Sequence, residues 1–109
     1  MPIANCMVTP NCPKCTENLV ELWSIESGMP ADHMTINLIA TEHQWGKPYP
    51  IMATLLLPSI WSKPDISALQ LGLAKALAQG FHLDLGQVQV ITHIIDSGRV
   101  VENGTEETW

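Results

Sequence analysis

The fold of this chain is constrained most by the order in which strand-like and helix-like apolar patterns follow each other. Short apolar runs typical of strands begin at residues 2, 34, 51 and 88. A segment with apolar residues at helical spacing lies between the first and second runs, and another lies between the third and fourth. The sequence therefore predicts an α/β (α+β) fold of two β-α-β units, with one four-stranded sheet and two helices on one face.

The first unit is predicted from residue 2 to about residue 43. A strand over residues 2–9 and a turn-rich stretch precede a helix over 14–27, in which Leu19, Leu22 and Trp23 lie on one stripe. Gly28 and the proline that follows it predict the end of that helix. In the next strand Met34, Ile36, Leu38 and Ala40 alternate with polar residues, so we expect those four on the core side.

The second unit repeats this order without obvious sequence identity to the first. A buried strand over residues 51–57 is bounded by prolines, and a helix begins near Pro64, where Ser62 and Asp65 have capping-box spacing. Residues 88–95 form the fourth strand, and a turn and a short strand follow it in a small C-terminal hairpin. No linker interrupts the chain, so residues 1–109 are predicted to be one domain.

Composition and charge exclude several classes of function. Hydrophobic residues make up 46% of the chain and charged residues only 15%, and four tryptophans add large apolar surfaces, which favours self-association or a tryptophan-rich core. The net charge of −6, with only five scattered basic residues, argues against a nucleic-acid partner. No apolar stretch reaches membrane-spanning length, and the N-terminal residues do not predict a secretory signal. Three cysteines form no disulfide framework, which predicts a cytoplasmic protein.

Pro2 is the first candidate for chemistry. Once an initiator methionine is removed, the nitrogen of Pro2 becomes a secondary amine held by the first strand. An α-amino group has a pKa of about 8, and an apolar pocket or nearby cations lower it further. A group of that kind is a suitable general base at neutral pH.

With this proline at its start, the predicted β-α-β-β-α-β order resembles the tautomerase superfamily, in particular members similar to macrophage migration inhibitory factor. The resemblance covers nearly the whole chain and rests on Pro2-Ile3, on Gly28-Met29-Pro30, and on the strand Val88–Ile95 with the segment Asp96–Val101 after it. It implies a homotrimer with active sites at subunit boundaries. It also implies that Pro2 moves a proton between the keto and enol forms of a small substrate that bears a carboxylate.

A carboxylate substrate requires a cation to hold it, and the enolate requires a hydrogen-bond donor. Members similar to the inhibitory factor have a lysine where this chain has Met29, and a tyrosine and an asparagine where it has Gln89 and Ile91. The remaining candidates for substrate binding are the cations and aromatic residues of the loops and the first helix. They are Lys47, Arg99, Lys14, Trp45 and Tyr49.

Cys12 and Cys15 are a second candidate, because a C-x-x-C pair at the start of a helix has thioredoxin-like spacing. With Cys6 and a histidine, the pair could also form a zinc site. His93, in the middle of the fourth strand, is more typical of a partly buried structural histidine than of a base.

The favoured function is that of an isomerase, a keto–enol tautomerase that needs no cofactor and no metal. Two alternatives stay open: a non-catalytic homo-oligomer of the same fold, and a thiol redox or metal module built on Cys12 and Cys15.

Overall fold

The computed structural model describes residues 1–109 and shows the β-α-β unit twice, followed by a hairpin. The predicted fold class and four-stranded sheet are confirmed. The strands are β1 (Ile3–Val8), β2 (Thr35–Ala40), β3 (Ile51–Pro58), β4 (Val88–Ile95), β5 (Val100–Glu102) and β6 (Thr105–Glu107); the helices are α1 (Leu19–Ser27) and α2 (Lys63–Gly80). Short 3₁₀ turns cover Ala31–His33 and Leu85–Gln87.

The sheet has the strand order β2-β1-β3-β4, and its two central strands run in opposite directions. β1 pairs with β2 in parallel, β3 pairs with β4 in parallel, and Ile3 lies opposite Leu56 whereas Val8 lies opposite Ile51. The two β-α-β units are therefore related by a pseudo-twofold axis. Pro2 precedes β1 at one end of the sheet, which we call the Pro2 end, and Pro50 precedes β3 at the opposite end, the Pro50 end.

One face of the sheet packs against both helices and forms the core. Alternate residues of β1 and β3 are fully or almost fully buried, and they belong to one cluster with buried residues of both helices. Trp23 of α1 is completely buried, and its Nε1 donates a hydrogen bond to the Leu69 carbonyl oxygen of α2 at 2.9 Å. The indole thereby joins the two helices through its ring and its polar atom.

The close approach of the helices depends on Gly72. A Cβ atom built at this position would lie 2.8 to 2.9 Å from the backbone and the Cβ of Ser27, closer than two unbonded atoms can pack. A residue without a side chain is therefore required on α2 where α1 ends.

Helix α1 begins later than predicted. Its N-cap is Asn18, whose Oδ1 accepts a hydrogen bond from the Glu21 backbone N–H at 3.2 Å, so residues 14–18 extend a loop instead of forming the first helical turn. The start of α2 is as predicted, since the Ser62 hydroxyl accepts from the Asp65 N–H at 3.3 Å. Helix capping, which depends on local geometry, decided both starts.

The late start of α1 also changes the environment of β2. Met34 is buried and Ile36 half-buried, but the Leu38 side chain is 50% exposed and Ala40 is exposed, so the prediction that all four residues face a core was half wrong. An open hollow lies between the first turn of α1 and this strand, lined by Leu19 and Val20 on one side and by Ile36 and Leu38 on the other. The end of β2, an edge strand of the sheet, therefore remains uncovered.

The face of the sheet opposite the helices is exposed and partly apolar. On this face the side chains of Met7, Ile39 and Ile91 are each 42 to 49% exposed. The side-chain amide of Asn37 in β2 donates a hydrogen bond to the side-chain oxygen of Asn5 in β1 at 2.9 Å. An apolar sheet face and an open strand edge are both features of surfaces that associate with another chain. No helix of the chain combines enough length and apolarity to cross a bilayer.

The C-terminal hairpin contains one strand more than we predicted. Asn103 and Gly104 both have positive φ angles, 53° and 73°, which is the backbone of the type I′ turn that joins β5 to β6. The Asn-Gly pair is a recognised hairpin signal, and it identifies β6.

Cys6 makes the stability of the fold sensitive to alkali. Burial raises the pKa of its thiol to about 12, above the value near 9 that it has when exposed. The unfolded chain therefore loses this proton first, and we expect stability to fall between pH 9 and 12 by up to about 1.4 kcal/mol per pH unit from this group. Urea unfolding at a series of pH values measures the slope. The Cys6→Ala variant should lose that part of the slope, and an unchanged slope would contradict this assignment.

Candidate functional site

A cavity of about 190 Å³ opens at the Pro2 end, beside the start of β1. Pro2 itself is buried, and its carbonyl oxygen accepts a hydrogen bond from the Thr35 N–H at 3.0 Å, which holds the proline on the edge of β2. The lining comes from the N-terminus, the loop after β3 and the C-terminal hairpin. The lining residues are Met1, Pro58, Ile60, Val100, Glu102, Glu107 and Trp109.

Trp109 forms a wall of this cavity and is held by two serines. Its backbone N–H donates to the Ser97 hydroxyl at 2.8 Å, and its indole Nε1 donates to the Ser59 hydroxyl at 2.9 Å. The tryptophan therefore ties the end of the chain to the turns after β3 and β4. The resulting wall is aromatic and flat.

The amino group at this end lies in a partly desolvated environment. Burial lowers the pKa of the Met1 ammonium below its ordinary value, and the Glu102 carboxylate acts in the opposite direction. An amine in this place is therefore more easily deprotonated than one in water. A chain that began at Pro2 would have its own amine close by, one residue further along the strand.

Of the five predicted substrate-binding residues, Arg99 alone lies at the Pro2 end. It follows β4 in a tight turn, in which its backbone N–H donates to the Asp96 carbonyl oxygen at 3.2 Å, and its side chain is exposed. Val100, the next residue, lines the cavity. Arg99 is thus the permanent cation nearest in sequence to the cavity wall.

The other four lie at the Pro50 end of the same protomer. Trp45, Lys47 and Tyr49 belong to the loop between β2 and β3. Lys14 was predicted to lie in the first helix, but it belongs to the loop between β1 and α1. Six strand residues of about 3.3 Å each separate the two ends, a span of roughly 20 Å. The structure therefore does not bring these four side chains to Pro2 of their own chain.

The loop between β2 and β3 has a defined conformation. The Gln44 side chain makes two hydrogen bonds to Tyr49: its Oε1 accepts from the backbone N–H at 2.8 Å and its Nε2 donates to the carbonyl oxygen at 3.1 Å. The His43 ring stacks on the Trp45 ring at a centroid distance of 5.5 Å, and the Lys47 ammonium lies 5.2 Å from the Tyr49 ring centroid. Trp45 is 86% exposed.

A second cavity, of about 390 Å³, lies at the Pro50 end, next to this loop. Polar side chains and prolines line it, in contrast to the apolar and acidic lining at the Pro2 end. They are Thr9, Pro10, Asn11, Glu42, His43, Gln44, Pro48 and Pro50.

Cys12 and Cys15 are both free and partly buried in the loop before α1. The prediction that they lie at the start of a helix is wrong, because α1 begins only at Leu19. Burial, and to a lesser degree the neighbouring Cys15, raise the pKa of the Cys12 thiol, which disfavours the reactive thiolate. Cys15 donates to the Glu17 carbonyl oxygen at 3.4 Å. The structure contains no group of three or more ligating side chains for a metal ion.

Two kinds of residue at the Pro2 end were missed in the sequence. Glu102 and Glu107 were not among the predicted site residues, yet both line the cavity, and so does Trp109. The alternation of side chains on either side of the Asn-Gly turn would have placed Glu102 and Glu107 on strands. Nothing in the sequence indicates the serine hydrogen bonds of Trp109.

The fold is similar to that of solved tautomerase-superfamily structures. A fused 4-OT described as a wild-type symmetric trimer has 16% identity, a TM-score of 0.75, and coverage of 95% of this chain and 94% of its own. Pt0534 inactivated by 2-oxo-3-pentynoate has 13% identity, a TM-score of 0.73, and coverage of 96% and 94%. Macrophage migration inhibitory factor from Oncomelania hupensis has 10% identity, a TM-score of 0.70, and coverage of 98% and 82%.

No family model and no curated protein matches the sequence of this chain. The structural similarity extends over almost the whole chain. Because the sequence identities are low, it shows a common fold and nothing further. The resemblance to the tautomerase superfamily predicted from the sequence is thereby confirmed at the level of the fold.

Proposed function

We propose that this protein is a keto–enol tautomerase in which Pro2, freed of Met1, is the general base. The observation that supports it most directly is the position of Pro2, which is buried at the start of β1 next to the cavity that Met1 lines. Burial lowers the pKa of the Met1 ammonium there. The fold shared with structures of the tautomerase superfamily supports the same class of reaction.

The reaction needs only a proton transfer. In the keto-to-enol direction the unprotonated Pro2 nitrogen takes a proton from the carbon next to the carbonyl group, an enolate forms, and the proline ammonium returns the proton to the enolate oxygen. In the opposite direction the nitrogen takes the proton of the enol hydroxyl and returns it to that carbon. While Met1 is attached, the nitrogen of Pro2 is part of an amide and has no available lone pair. Removal of Met1 is therefore a condition of activity.

The proposed substrate is a small carboxylate with an apolar or aromatic group. Trp109, Val100 and Ile60 provide an apolar wall for that group. Glu102 and Glu107 would repel a carboxylate deep in the cavity, so the anionic end is held at the exposed Arg99, where the turn after β4 meets solvent.

We propose in addition that the protein is a homotrimer. The exposed apolar sheet face and the open edge of β2 are surfaces suited to contact with other copies, and a fused 4-OT of similar fold is described as a symmetric trimer. Lys47, Lys14, Trp45 and Tyr49 could then contact a substrate at Pro2 only across a subunit boundary. Cys12 and Cys15 have no part in this mechanism.

The test compares the protein with and without Met1. Intact mass distinguishes the two forms, and the enol of phenylpyruvate reports tautomerisation by its ultraviolet absorbance. We expect turnover in the form that begins at Pro2, with a rate that rises with pH as the amine loses its proton. The form that retains Met1 should not exceed the buffer-catalysed rate.

Equal turnover in both forms would exclude Pro2 as the base. No turnover in either form would favour the non-catalytic homo-oligomer, and sedimentation analysis of the same samples would show whether the trimer forms.

A further inference from the structure

The pseudo-twofold axis of the fold relates the two cavities to each other. The Pro2-end cavity lies between the start of β1, the loop after β3 and the segment after β4. The Pro50-end cavity lies between the start of β3, the loop after β1 and the segment after β2. Exchanging the two β-α-β units therefore exchanges the elements of one cavity for those of the other.

The two cavities also have similar charged groups. Each is lined by glutamate, Glu102 and Glu107 at one end and Glu42 at the other. Each has one basic residue directly before a lining residue in the sequence: Arg99 precedes Val100, and Lys47 precedes Pro48. Both ends can therefore offer a positive group to the carboxylate of a small molecule.

The two proline nitrogens differ in their chemistry. The nitrogen of Pro50 lies within the chain as an amide, and the Pro50 carbonyl oxygen accepts hydrogen bonds from the Thr9 N–H at 3.0 Å and the Thr9 hydroxyl at 3.3 Å. No processing at the N-terminus can free it. The Pro50 end therefore has a cavity and polar side chains but no free proline amine.

We infer that the Pro50-end cavity is a second, non-catalytic binding site for small carboxylates of the class taken at Pro2; the choice of ligand class rests on the proposed function. His43 and Asn11 supply hydrogen-bond donors within the lining, and Lys47 directly precedes the lining residue Pro48 in the same loop. The hydrogen bonds between Gln44 and Tyr49 hold this loop in place before any ligand arrives, which lowers the entropic cost of binding. Each protomer accordingly binds two such molecules and converts only one of them.

Titration of the ¹⁵N-labelled protein with hydrocinnamate tests this inference. Hydrocinnamate has the ring and the carboxylate of phenylpyruvate but no ketone, so it binds without reacting. We expect two separate groups of backbone amide signals to shift: those of Thr9, Asn11 and Gln44 at the Pro50 end, and those of the C-terminal hairpin at the Pro2 end.

Two variants identify the groups involved. His43→Ala should weaken binding at the Pro50 end about tenfold, the loss expected for one hydrogen bond to a charged group, and leave the shifts at the hairpin in place. His33→Ala is the matched control, because it removes another exposed histidine that lies outside both cavities and should leave both groups of shifts unchanged.

Shifts confined to the hairpin would overturn the second site, and so would Pro50-end shifts with the same affinity in His43→Ala as in the parent protein. Shifts at both ends that saturate together at one hydrocinnamate per protomer would also overturn it, because a single ligand shared across a subunit boundary would explain them. Shifts at the Pro50 end without any at the hairpin would support the second site and contradict the substrate class proposed for Pro2. The two proposals can therefore fail independently.

Discussion

Replacement of Pro2 by alanine is expected to lower kcat/KM for the phenylpyruvate enol by about 10²- to 10⁴-fold, the range for removal of a general base. Alanine also permits removal of Met1, so the variant keeps an α-amino group. That group is a primary amine that rotates freely about its own N–Cα bond, whereas the pyrrolidine ring of proline fixes the nitrogen and its lone pair relative to β1. The loss therefore measures positioning of the base as well as its chemistry.

Pro13→Ala is the control for this measurement, because Pro13 is an exposed proline in the loop before α1 and lies in neither cavity. Its kcat/KM should equal that of the parent protein. If Pro2→Ala retained full turnover after confirmed loss of Met1, the proposal that Pro2 is the base would be wrong.

The largest effect on stability is expected for Trp23→Ala. Trp23 is fully buried between the helices, and removing a buried aromatic side chain costs about 3 to 5 kcal/mol of the free energy of unfolding. Its hydrogen bond to the Leu69 carbonyl oxygen is lost as well. Since the free energy of unfolding of a domain is about 5 to 15 kcal/mol, the variant should lose a large part of its stability. Urea unfolding at fixed protein concentration measures the change.

Trp23→Phe keeps the fold measurable if the alanine variant does not fold. It retains most of the ring and loses the indole N–H, so we expect destabilisation of about 1 to 2 kcal/mol. Trp45→Ala provides the comparison at an exposed tryptophan and should change the free energy of unfolding by less than about 0.5 kcal/mol. Equal effects at Trp23 and Trp45 would show that the core between the sheet and the two helices is not what stabilises the protein.

Most secondary structure could be predicted because it depends on patterns that are local in the chain. The strand over Val88–Ile95 was predicted with its observed bounds, and Ser62 was identified as the residue that caps α2. The start of α1 was misplaced because the helical spacing of apolar residues does not show where the first helical N–H finds an acceptor. Asn18 supplies that acceptor.

The candidate site was predicted less completely, because it depends on which ends of the sheet meet. Pro2 and Arg99 were named and lie at the same end, whereas Lys47, Trp45 and Tyr49 lie at the other. Distance along the sequence gives no indication of this. The antiparallel pairing of β1 with β3 separates them, and that pairing joins residues about 50 positions apart.

The sequence by itself determined the two β-α-β units, the proline at the start of the first strand, and a shortage of cations that leaves few ways to hold an anion. Hydrophobic periodicity, helix capping and charge are properties of neighbouring residues, so these features can be inferred before folding. Only the tertiary structure decided that Glu102, Glu107 and Trp109 line the cavity at the Pro2 end and that a second cavity lies at the Pro50 end. Both follow from long-range strand pairing, which brings together segments that have no local signal for each other.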